Sequence, residues 1–79
     1  MTQEKANTIK ASLDNLYKSV GSKNHVKLQT LPNGLLTIMV TSSINTLGLL
    51  VDVAKIVEHN GARFFASTDG CKPYLCIYD

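Results

Sequence analysis

The chain has 79 residues, of which 44% are hydrophobic and 18% charged, with a formal net charge of +2. This is enough sequence for one domain with a barely sufficient core, and it is too apolar for a disordered segment. The eight basic residues are scattered among six acidic ones, which argues against a non-specific DNA binder, because such a protein concentrates its basic side chains in a stripe. No apolar run reaches the roughly 18 residues of a membrane span, and Met1–Lys5 opens no signal-peptide core, so a cytoplasmic location is expected.

From Thr2 to Val20, Ala6, Ile9, Leu13, Leu16 and Val20 recur at three- and four-residue spacing, with Tyr17 flanking the stripe. This predicts an amphipathic helix with Thr2 as N-cap and Gly21 just past its end. A hairpin follows, from Val26–Leu31 to Leu35–Val40. A two-residue Asn33-Gly34 loop would mix polar and apolar side chains on each face. A three-residue Pro32-Asn33-Gly34 loop sets Val26 against Val40 and Leu28 against Ile38, with Lys27 beside Met39 on the other side. Proline suits the second position of a type I turn and glycine the left-handed position after it, so the three-residue loop is preferred.

Thr41, Ser42 and Ser43 are N-cap candidates for a second helix that stops at Asn60-Gly61. Ile44, Leu47, Leu50, Val51, Ala54 and Val57 form one face, and Leu49, Val53 and Ile56 widen it to roughly 220° of arc. One sheet contact uses only about 100°. The remainder is expected to lie against the first helix, with a subunit interface as the alternative. A second hairpin then joins Ala62–Ser67 to Tyr74–Tyr78. A two-residue Asp69-Gly70 loop would pair Phe65 with Tyr74 and Phe64 with Leu75, and Pro73 cannot donate to the ladder. The predicted fold is a single α+β domain of order α-β-β-α-β-β. Two helices pack on one face of a four-stranded, mostly antiparallel sheet, and the relative order of the two hairpins is left open.

Chemistry-bearing motifs are absent: there is no phosphate-binding loop, dinucleotide fingerprint, Cys-x-x-Cys or His-Glu-x-x-His. His25, His59, Cys71 and Cys76 fall in separate elements, so no metal or other cofactor is expected. Cys71 and Cys76 would lie about 16 Å apart on one strand, too far to bridge, and are read as free thiols. Glu58-His59 reads as an ordinary helix end, since adjacent helical positions point about 100° apart. Cys76, set near Arg63, could be a nucleophile, although a small cysteine filling a strand position accounts for it more simply, and Ser42 and Ser43 are read as helix caps before nucleophiles. No catalytic residue is assigned.

What stands out is the sheet face away from the helices. It collects Lys27, Gln29, Leu35, Thr37, Met39, Arg63, Phe65, Tyr74, Cys76 and Tyr78. Of these, Lys27, Met39, Arg63, Phe65, Tyr74 and Tyr78 are the candidate partner-binding residues, because aromatics, Met and Arg are enriched in protein interfaces. The expected function is non-catalytic and stoichiometric, through the open sheet face or an exposed strand edge: an accessory, regulatory or inhibitor protein, of a kind common among bacterial and phage-encoded factors. A protein partner and a homodimer are expected. The alternative is single-stranded RNA stacked on the same aromatics.

Overall fold

The computed structural model describes residues 1–21, 24–42, 46–70 and 72–79. The elements are α1 (Gln3–Ser19), β1 (Asn24–Thr30), β2 (Leu36–Ser42), α2 (Leu47–His59), β3 (Arg63–Asp69) and β4 (Lys72–Tyr78). The four strands form one sheet in the order β1-β2-β4-β3, and every neighbouring pair is antiparallel. The hairpins therefore meet along β2 and β4, leaving β1 and β3 as the edges. The shortest dimension is 17 Å between Cα extremes, which accommodates one helical layer on one sheet and leaves the opposite face uncovered.

The first helix forms for the reasons its sequence suggests. The Thr2 hydroxyl accepts from the Lys5 amide at 3.2 Å, and Gly21 leaves the helix at φ +70°. Ala6, Ile9, Leu13 and Tyr17 are fully buried, with Leu16 partly so. The expected stripe is thus corrected at one end: Tyr17 belongs to the core, and Val20 is 46% exposed. Tyr17 continues the i, i+4 row from Leu13, whereas Val20 is the C-cap, where the helix has run past the sheet.

The first hairpin has the predicted register, with Val26 opposite Val40, Lys27 opposite Met39 and Leu28 opposite Ile38. Gly34 donates to the Leu31 carbonyl at 2.8 Å, and Leu31 donates to the Leu35 carbonyl at 2.9 Å. Gly34 sits at φ +85°, the left-handed position the three-residue loop requires.

The start of α2 differs from expectation. Thr41 and Ser42 are still strand residues, paired with His25 and Asn24, and Ser43 lies outside the described residues. The cap is Thr46, whose hydroxyl accepts from the Leu49 amide at 3.3 Å. At the other end Ala62 donates to the Val57 carbonyl and Gly61, at φ +69°, to the Glu58 carbonyl, which is the paired closure of a Schellman motif. The buried residues of α2 are Leu49, Val53 and Val57. Leu47 and Val51, placed on the main apolar face by the helical wheel, are 79% and 46% exposed, and Ile44 lies outside the described residues. The helix packs on α1 and over β3, which uses part of the arc and leaves one flank open.

In the second hairpin the register is two residues from the expected one. Phe65 lies opposite Cys76, Phe64 opposite Ile77 and Ser67 opposite Tyr74, and the ladder runs out to Asp69 opposite Lys72. Asp69 is therefore a strand residue rather than part of the turn, which follows it at Gly70 (φ +64°); Cys71 lies outside the described residues. A shift of two preserves side-chain parity, so both faces keep their predicted membership. On the helix side, Val40 meets Val26 and Leu75, and Ile38 meets Leu28 and Ile77, across the central strands. These residues and the buried faces of the two helices make the core. Among the described residues no helix is long and apolar enough to cross a membrane.

Candidate functional site

The uncovered face carries a row that crosses all four strands: Lys27, Met39, Cys76 and Phe65 lie side by side on β1, β2, β4 and β3. Gln29 and Thr37 form the next pair on the first hairpin, as do Tyr78 and Arg63 on the second. The face predicted from alternation is therefore assembled as one surface, and all six candidate residues lie on it. Phe65 is 46% exposed, Lys27 and Arg63 are exposed, and Met39, Tyr74 and Tyr78 are half-buried. The Phe65 and Tyr78 rings touch in a tilted arrangement, with centroids 5.8 Å apart and 56° between planes. This diagonal contact replaces the direct Phe65–Tyr74 pair expected from the shorter hairpin.

Around these rings the face forms a hollow of about 490 Å³, bounded by Leu35, Met39, Phe65, Tyr74, Cys76 and Tyr78. A smaller hollow of about 250 Å³ lies beyond Met39 and Tyr74, toward Thr68, Asp69 and Lys72. Lys27 and Arg63 stand on opposite edge strands, with three interstrand spacings of about 4.8 Å between those strands. Among the described residues the middle of the face carries no charged side chain.

Two features escaped sequence reasoning. Thr37 is only 3% exposed, and its hydroxyl donates to the Gln29 carbonyl at 3.2 Å. A threonine on an open face reads as solvated unless the larger neighbours on either side are known to close over it. At one end the hollow is bounded by Met1 and Asp79. The Met1 amine lies 3.0 Å from the Asp79 carboxylate and donates to the Leu36 carbonyl at 3.3 Å, while Lys5 Nζ lies 2.6 Å from the same carboxylate. Nothing in local sequence predicts that clip.

The Lys5 ammonium, and then the Met1 amine, hold the Asp79 carboxyl below the ordinary value of 3.8. A carboxyl with a lowered folded-state pKa contributes stability that is present above its unfolded pKa and is lost as pH falls through the folded one. Asp79→Asn is accordingly expected to flatten the acid limb of stability below about pH 4. Urea unfolding midpoints between pH 2 and 7 measure this, and an unchanged acid limb would show that the clip contributes nothing.

Burial pushes the Cys76 thiol up, partly opposed by the adjacent Thr37 hydroxyl. Cys76 is a free thiol set between Met39 and Phe65, and Arg63 lies opposite Tyr78, one diagonal step away. Glu58 and His59 are exposed at the end of α2. Among the described residues no three His, Cys, Asp or Glu side chains cluster as a metal site requires.

No protein-family model matches the chain, and no curated protein is similar to it.

Proposed function

We propose that this protein is a non-catalytic interaction module, regulatory or inhibitory in kind, that binds a protein partner stoichiometrically through its open sheet face. The observation that carries the reading is the layout of that face: a hollow of about 490 Å³ lined mainly by aromatics, leucine and methionine and closed at one end by the Met1–Asp79 ion pair, with Lys27 and Arg63 outside it on the two edge strands. Protein interfaces have this anatomy, a charge-depleted core within a polar border. Tyr74 and Phe65 are the anchors, because half-buried aromatics lose little conformational freedom on docking and bury large areas.

A single-stranded RNA ligand is the second reading, favoured by the exposed Phe65 ring two residues from Arg63. A stacking track interleaves rings with cations along the strand it binds. Here the cations sit at the edges, and Phe65 and Tyr78 already lean on each other at 56°.

The test is affinity capture of interacting proteins by wild type, Phe65→Ala and Tyr74→Ala, beside titration with an oligouridine strand at low and high salt. The expected result is a defined protein held by wild type in both salts and weakened about 30-fold by either truncation, the range of interface hot spots. Capture that survives both truncations overturns the reading. Oligouridine binding that falls with salt and with Lys27→Ala and Arg63→Ala would establish the second one.

A further inference from the structure

We propose that the free edge of β3 is a homodimer seam, at which a second copy of this chain adds antiparallel with Ala66 on the two-fold axis. A two-fold strand pairing sets one residue opposite itself. With Ala66 in that position all seven residues of β3 pair. Arg63 then faces Asp69 of the second copy, Phe64 faces Thr68, and Phe65 faces Ser67. No other two-fold register uses the whole strand or joins Arg63 to Asp69. Among the described residues, neither Arg63 nor Asp69 has an ion-pair partner within its own chain. Lys72, opposite Asp69 on β4, extends the alternation, so that Asp69 would lie between two cations of different copies.

The edge itself is unprotected. Natural edge strands are blunted by proline, bulges or mid-strand charge. The β1 edge has Lys27 at its centre, but Phe64–Thr68 on β3 carries none of these devices. Every residue of β3 except Phe64 is exposed, including Ala66 and Thr68 on the helix side.

The open flank of α2 is a separate observation pointing to the same place. Its polar arc (Gly48, Asp52, Lys55 and His59) points away from the sheet. Leu47 and Val51, with the exposed Glu58 between them on the wheel, lie about 90° from that arc, on the flank opposite Leu49 and Ile56. Leu49 and Ile56 are covered, as expected on the side that meets α1, so the bare flank is turned toward the free edge of β3. A two-fold axis normal to the sheet keeps both copies' helices on one side. It therefore brings the second α2 toward Leu47, Val51, Ala66 and Thr68. On the opposite face it makes the two Phe65 rings diagonal neighbours, within reach of each other. The result is one continuous eight-stranded sheet, whose seam shares Arg63 and Phe65 of β3 with the open face described above.

Sedimentation equilibrium on the full chain tests the seam through charge reversal. Wild type is expected to dimerise. Arg63→Asp and Asp69→Arg each set two like-charge pairs across the axis and should weaken the dimer by about tenfold or more, while the double reversal, combined with Lys72→Glu to keep the charge alternation with Asp69's position, restores it to within about threefold. Both positions are exposed, and far-UV circular dichroism confirms that each variant is folded. Met39→Ala, two strands away, should leave the dimer constant unchanged. A wild-type monomer at every concentration overturns the seam. So does a dimer indifferent to the single reversals, a double reversal that fails to recover, or a dimer broken by Met39→Ala.

Discussion

Replacing Tyr17 by alanine should cost about 3–5 kcal/mol, while replacing it by phenylalanine should cost nothing or stabilise by up to about 1 kcal/mol. The ring is the largest fully buried side chain in the protein, so truncation leaves a cavity that two helices and a sheet cannot close without moving. Domains of this size rarely hold more than about 5–10 kcal/mol in total, and the alanine variant would therefore be substantially unfolded on warming. The hydroxyl tells the opposite story. It is buried and has no hydrogen-bond partner among the described residues, and burial pushes its pKa up. An unpartnered buried hydroxyl has lost its water and gained nothing in return, so phenylalanine keeps the packing and removes the penalty. Urea denaturation of the two variants measures both effects. A phenylalanine variant weakened by more than about 1 kcal/mol would mean that the hydroxyl has a partner in solution.

The second large effect contrasts two neighbours on one strand. Ile38→Ala should cost about 2–5 kcal/mol, whereas Met39→Ala should cost less than about 1 kcal/mol. Ile38, on the central strand β2, is fully buried between Leu28 of β1 and Ile77 of β4, beneath the helices. Met39 points the other way, into the hollow of the open face. Equal costs would mean that something covers the open face in the isolated chain. A small cost at Met39 would mean that its side chain is free for binding rather than committed to folding. Measuring both at several protein concentrations separates intrinsic stability from stabilisation by assembly.

The fold was legible where two independent signals agreed. In the first hairpin the apolar alternation and the Pro32-Asn33-Gly34 chemistry both selected one register, and that register is present. In the second hairpin alternation alone was available, and alternation cannot distinguish registers two residues apart. Asp69-Gly70 suggested a tight turn, but pairing continues to Asp69 and Lys72 and moves the turn onward. The cap of α2 was displaced for a related reason: Thr41 and Ser42 suit a cap, yet β1 offers them strand partners, and Thr46 was equally able to cap. The membership of the open face survived these errors because it depends only on parity. Its hollow was not legible, since the burial of Thr37 and the wall formed by Met1 and Asp79 arise from contacts between opposite ends of the chain. Which flank of α2 would remain bare was likewise hidden, because a helical wheel shows how much surface is apolar and not where the neighbouring helix lies.

The order β1-β2-β4-β3 has a kinetic consequence. Each hairpin closes over a few residues and can form within microseconds, but the seam between β2 and β4 joins segments nearly half the chain apart, with α2 in the intervening connection. That closure is the entropically demanding step, and it completes the core, since Ile38 and Ile77 meet only there. Amide protons bridging β2 and β4 should therefore exchange with solvent only through global unfolding, later than those at the frayed ends of either hairpin.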